Sequence, residues 1–215
     1  MPKRAAAPEP GLFPDEVSAP SDQFEQEARA KGYQFIAGLD EVGRGPLAGP
    51  VIAAAVILPE GYTHPDLNDS KKLTAAKRRA VRDHLLATPG VLWAVGEASV
   101  EEIDTINILQ ASLLAMRRAY EKLSRSPDFL LIDGNCGLRG ALPERTLVKG
   151  DARCRSIAAA SIIAKEHRDD LMDALAKIYP QYGLDKHKGY ATAVHRAAIK
   201  THGLTPIHRR SFCCD

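Results

Sequence analysis

FIAGLDEVGRGPLAGPVIAAAVIL, residues 35–58, divides into two apolar runs around a glycine-rich loop. The first run, 35–39, ends in the acid pair Asp40-Glu41. The second, 51–58, is bounded by Pro50 and Pro59, and its length predicts a buried strand. A third run at 91–98 completes a set able to form a meander, with a helix over 74–86 before it. From there the pattern changes. Residues 101–123 repeat apolar side chains every three or four positions, which predicts an amphipathic helix. Short strands are expected at 129–132 and 146–148, then a long helix over 155–178 that Pro180 and Gly183 end. One more helix fits after Tyr190 and ends near Gly203. Antiparallel strands first and helix-linked strands later predict a mixed α/β sheet with helices on its faces.

Three apolar segments run into acids: Asp40-Glu41 after the first, Asp133 after the fourth and Asp151 after the fifth. Sites in such sheets lie beyond the carboxyl ends of parallel strands. If these three strands are parallel neighbours, the acids converge. A lone Asp after a strand is commonly a turn or cap residue, but converging carboxylates repel one another and call for a cation. Hard divalent ions take oxygen ligands and keep waters for substrate phosphate, so acids without His or Cys point to phosphoryl chemistry. Asp40 and Glu41 face one site only if the strand ends or bulges there, because neighbouring side chains alternate. Gly43 and Gly45 make such a bulge plausible. The loop is neither a Walker A loop nor a dinucleotide fingerprint.

Composition narrows the classes further. The chain has 215 residues, 45% hydrophobic and 26% charged, with net charge +2. That suits one sizeable core. Mean hydropathy is −0.22, and no apolar run reaches the roughly 18 residues of a membrane span. The start of the chain lacks an apolar signal region. The four cysteines form no C-x-x-C pair, so reduced thiols in a cytoplasmic protein are expected. Residues 1–32 hold five prolines and are expected to be mostly disordered, with a short helix possible over 22–31. Residues 181–215 are basic and carry four of the seven histidines, a surface suited to phosphate.

At this point the chain resembles ribonuclease HII, the bacterial type 2 ribonuclease H, over about residues 33–212. The resemblance rests on DEVGRGPLAGPV (40–51), DSKKL (69–73), INILQASLLAM (106–116), IDGN (132–135), VKGD (148–151), SIAAASIIAKEHRD (156–169), HKGYAT (187–192) and PIHRRSF (206–212). It implies a ribonuclease H-like fold: a mixed five-stranded sheet flanked by helices. Residues 33–178 would be the catalytic domain and 179–215 a helical substrate-binding segment. It implies cleavage of RNA in RNA–DNA hybrids and 5′ to single ribonucleotides in duplex DNA, leaving 5′-phosphate and 3′-OH ends. Asp40, Glu41, Asp133 and Asp151 fall on the family's catalytic, metal-holding acids. Gly43, Arg44 and Gly45 fall on its ribonucleotide-contacting loop, Tyr190 on its sugar-packing tyrosine and Lys71 on a phosphate contact. The residue types fit two Mn²⁺ or Mg²⁺ ions, bridged by Asp40. A monomer with no derivable protein partner is expected. The competing readings are another metal-dependent nuclease of this fold or a non-catalytic binder of hybrids.

Some expectations come from the residues alone. Asp169 reads as structural and Asp69 as a loop or cap residue. Ser161 and Lys165 are set to contact substrate or support the site. The C-terminal histidines His187, His195, His202 and His208 are expected on the surface.

Overall fold

The computed structural model describes residues 19–68 and 70–213. The expectations for Asp69, Cys214 and the first eighteen residues fall outside it. Five strands form one sheet: β1 (Ile36–Val42), β2 (Val51–Ile57), β3 (Leu92–Ala98), β4 (Phe129–Asp133) and β5 (Glu144–Leu147). Their order is β3-β2-β1-β4-β5. The first three strands pair antiparallel, and β1–β4 and β4–β5 pair parallel. This is the expected mixed sheet.

β2 shows how the sequence builds two layers. All seven of its residues are buried, and they alternate between cores as strand geometry requires. Val51, Ala53, Ala55 and Ile57 join the core under helix α3 (Val100–Glu121). Ile52, Ala54 and Val56 join the core under α2 (Ala75–Ala87) and α4 (Arg155–Ile178). The small residues of α4 let it lie close to β1. A Cβ on Gly38 would stand 2.2 Å from the Ser156 backbone carbon. Gly38→Ala must therefore push α4 off the sheet. We expect a loss of about 3 kcal/mol, read in a thermal melt as roughly 6–12 °C. An unchanged melting temperature would show that α4 yields freely.

Helix ends follow their caps. Thr74 caps α2 by accepting from Lys77 N–H at 3.3 Å, and Ser99 and Glu102 form a capping box at the start of α3. The expected continuous helix over 101–123 has a break. Asn107 takes φ 68°, ψ 164° inside α3. Its Oδ1 accepts from Leu109 N–H at 3.0 Å and Gln110 N–H at 3.1 Å, so it acts as a second N-cap.

The short helix that the sequence allows over 22–31 is present. Helix α1 (Gln23–Arg29) buries Phe24 and Ala28 against β1, β4 and α4 residues. Buried Glu25 accepts from Ser156 N–H at 2.8 Å, which fastens α1 to the first turn of α4. After α4 come α5 (Leu184–His187) and α6 (Ala193–His202). Tyr182, Leu184 and Ile199 pack with Met172 of α4 and Ala48 of the glycine loop. Among the described residues no helix is long and apolar enough to cross a membrane.

Candidate active site

The carboxyl edge of β1, β4 and β5 gathers all four acids named from the sequence. The parallel register pairs Leu39 with Ile132, so Asp40 and Asp133 follow side by side. Asp151 lies beyond the end of β5, in a one-turn 3-10 helix at Gly150–Ala152. Asp133 Oδ1 accepts from Gly150 N–H at 2.7 Å, which ties that turn to β4.

The expected distortion at Asp40-Glu41 does not occur. β1 stays in register through both residues, Asp40 opposite Ala54 and Glu41 opposite Ala53. Asp40 shares the face of Gly38, under α4, and its Oδ1 accepts from Glu41 N–H at 2.7 Å. Glu41 shares the face of Ala37 and Leu39, under α3. The acids thus wrap the edge of the sheet rather than crowd one face.

Electrostatics register the crowding that remains. Burial raises the pKa of Asp40 well above the ordinary carboxylate value, and the charges of Glu41 and Asp133 add to it. Burial also raises Asp133, with Asp151 adding to it. Glu41 is raised by burial although the Arg44 guanidinium, 3.1 Å away, opposes the shift. Lys71 Nζ lies 3.4 Å from Asp151 Oδ2 on a side chain 82% exposed. The neighbouring Ser70 hydroxyl is 2.9 Å from that of Ser161, so the Lys71 loop is anchored beside Asp40.

This donor set fits hard divalent cations, since it is all oxygen, partly buried and short of compensating charge. Among the described residues no three acidic, His or Cys side chains form the donor set of one ion. Mg²⁺ and Mn²⁺ take one or two carboxylates and complete their shells with water and substrate phosphate. Beside Glu41 and Asp133 a cleft of about 230 Å³ opens between α3 and the loop after β4, lined also by Arg44, Ser112 and Asn135. The buried Ser112 hydroxyl has no hydrogen-bond partner among the described residues. Its position was not legible in a helix repeat.

The glycine loop borders the acids. Gly43 has φ +92°, and a Cβ there would stand 2.2 Å from Arg168 Nε. Gly45 faces the Tyr190 ring, whose Cε1 lies 3.8 Å from where a Cβ would be. Loop and tyrosine therefore form one wall of the site. Two fully buried arginines that sequence reasoning passed over hold this wall. Arg209 donates to the carbonyls of Gly43, Arg44 and Gly49 at 2.6, 3.0 and 2.9 Å. Arg168 donates to those of Ala48, Pro50 and Lys188 at 3.1, 3.3 and 3.0 Å. Burial, reinforced by Arg168, pushes Arg209 down to about 9, so it stays charged at neutral pH. Asp169 is structural, as expected: it pairs with Arg78 and Lys165.

His202 is exposed as expected, whereas two of the other C-terminal histidines depart from expectation. His195 and His208 are buried, at 0% and 2% exposure. Their Nε2 atoms are 3.1 Å apart. Thr205 N–H donates to His208 Nδ1 at 3.0 Å, which puts the proton of neutral His208 on Nε2. His195 then accepts at Nε2 and donates from Nδ1 to the Tyr190 carbonyl at 3.0 Å. Burial is the main cause that pushes His208 down to about 4 and lowers His195. His187, stacked on His195, and Tyr182 also face this pair. Between pH 6.5 and 4 the unfolded His208 binds a proton that the folded one refuses. Its contribution is full above pH 6.5 and is lost as pH falls through that window. We expect the melting temperature to fall there, and to fall less steeply in His208→Gln, which keeps a donor at the Nε2 position. Equal slopes in the two proteins would contradict this account.

A family model described as Ribonuclease HII matches residues 37–214. A Ribonuclease HII from Chlamydia caviae is 56% identical over 189 residues, 88% of this chain and 89% of its own length. The crystal structure of the ribonuclease H2 from Pyrococcus horikoshii OT3 superposes with TM-score 0.69 at 25% identity, covering 83% of this chain and 93% of that one. The fold is shared too by Bst-RNase HIII in complex with Mn²⁺, with TM-score 0.65 at 20% identity over 83% of this chain and 67% of that one.

Proposed function

The chain belongs to the ribonuclease HII family and is a ribonuclease H endonuclease; from that premise we propose that it cuts the RNA strand of RNA–DNA hybrids and the 5′ side of single ribonucleotides in duplex DNA. The family match displaces the readings as another metal-dependent nuclease of this fold or a non-catalytic binder of hybrids. The products would be 5′-phosphate and 3′-OH ends, and the enzyme would act as a cytoplasmic monomer. The observation that carries the reading is the wall of Gly43-Arg44-Gly45 and Tyr190 beside Asp40, Glu41, Asp133 and Asp151.

Asp40, Glu41, Asp133 and Asp151 would hold the Mn²⁺ or Mg²⁺ ions. Bound there, such ions supply an activated water at neutral pH and stabilise the leaving oxygen of an in-line displacement. The chain's own residues do the rest. The Glu41 N–H fixes the Asp40 carboxyl, and the Gly150 N–H fixes that of Asp133. Gly43, Arg44 and Gly45 read the 2′-OH, the group that separates ribose from deoxyribose. The exposed Tyr190 ring packs on the sugar, and Lys71 meets a phosphate. Residues 179–215 carry the duplex on their basic surface.

The test is an end-labelled duplex DNA with one ribonucleotide, incubated with Mg²⁺ or Mn²⁺ beside an Asp133→Ala control. The expected result is one metal-dependent cut 5′ to the ribonucleotide, lost in the control. Cleavage of long hybrids alone would overturn single-ribonucleotide recognition. Cleavage of neither substrate would overturn the role of the four acids.

A further inference from the structure

His208 and Arg209 are neighbours in sequence, and each fastens one half of the wall beside the acids. Arg209 bonds the Gly43 and Arg44 carbonyls. No described peptide is cis, and a trans peptide carries its C=O and N–H on opposite sides. Drawing these two carbonyls inward therefore turns the next N–H groups, those of Arg44 and Gly45, away from Arg209. His208 works on the other half. Its Nε2–H reaches His195, and His195 holds the Tyr190 carbonyl. The hydrogen-bond partners of Arg209 are backbone oxygens rather than a carboxylate. Its charge is thus spent on loop geometry, where a buried cation is otherwise costly.

We propose that the His208–Arg209 pair is a positioning device for ribonucleotide selectivity, Arg209 setting the Gly43–Gly45 loop and His208, through His195, setting Tyr190. The proposal rests on the substrate reading above. Neither residue touches the substrate, so their effect is carried by the spacing of the wall. A lysine at 209 keeps the charge but cannot bond three divergent carbonyls. A glutamine at 208 keeps a donor toward His195, and a leucine does not.

The test measures binding rather than turnover, in an Asp133→Asn background that does not cut. Two duplexes of one sequence are titrated by fluorescence anisotropy, one with a single ribonucleotide and one all DNA. The ratio of the two dissociation constants does not depend on the folded fraction, so a merely structural role leaves it unmoved. The background is expected to favour the ribonucleotide. Arg209→Lys and His208→Leu are expected to shrink that preference about tenfold or more, roughly the loss of one good hydrogen bond. Affinity for the all-DNA duplex should change less than twofold. His208→Gln is expected to retain the preference. If Arg209→Lys fails to fold, the two His208 variants give the same reading with Arg209 intact. A background that discriminates, with variants that discriminate equally, overturns this proposal and leaves the substrate reading standing. A background with no preference overturns the substrate reading, and this proposal with it.

Discussion

Asp40→Asn is expected to lower metal-dependent cleavage by about a thousandfold or more while raising the melting temperature of the metal-free chain. The first effect follows from removing a charge proposed to hold a cation, which would contribute several kcal/mol to the transition state. The second follows from the raised pKa of Asp40, caused first by burial and then by Glu41 and Asp133. An acid whose folded pKa lies above its unfolded value stabilises the fold fully only below the unfolded value. That contribution is lost as pH rises through the folded pKa. At neutral pH Asp40 is thus a strain on the empty site. Asparagine removes the strain and keeps an oxygen for the Glu41 N–H. A rise of roughly 2–4 °C, equivalent to about 1 kcal/mol in a chain of this size, is expected in melts with EDTA. A lower melting temperature, or near-normal cleavage, would contradict the account.

Gly43→Ala is expected to cost about a hundredfold in kcat/KM on the single-ribonucleotide substrate. Alanine is strained at φ +92°, and its Cβ would stand 2.2 Å from Arg168 Nε and 2.7 Å from Arg168 Cδ. Arg168 cannot swing aside without giving up three carbonyls. The loop must move instead, and a displacement near 1 Å in a positioning element costs on the order of a hundredfold. Gly45→Ala separates sterics from recognition, because its Cβ would meet only Tyr190 Cε1 at 3.8 Å. Its melting temperature should match the parent, whereas that of Gly43→Ala should fall. Parent-like cleavage by Gly43→Ala would show that the loop accommodates the methyl group.

Local patterns in the sequence already spelled out the sheet. The proline-bounded run ending at Leu58, the apolar repeat of α3 and the small-residue face of α4 each act within their own segment. Apolar runs ending in acids also located the acids, because parallel strands end together. Three features escaped. The regular course of β1 through Asp40-Glu41 depends on pairing with β2, so the glycines after it were read as a bulge one step too early. The burial of His195 and His208 arises between side chains 13 positions apart, and no local period reports such a pair. Arg209 looked like one more cation of a basic tail because its partners are backbone oxygens, which leave no mark in the sequence. Helix α1 was half legible, since its span reads as a helix but its docking depends on Ser156.

The Arg209–loop contact also orders events during synthesis. The Arg44 carbonyl and the guanidinium that orients it are 165 positions apart. At roughly 5–20 residues per second, a ribosome needs on the order of ten seconds or more to travel from one to the other. Asp133 and Asp151 are added within that interval, and until Arg209 follows them the loop beside Asp40 and Glu41 lacks its final brace. The brace on the loop is thus among the last long-range contacts that the growing chain can make.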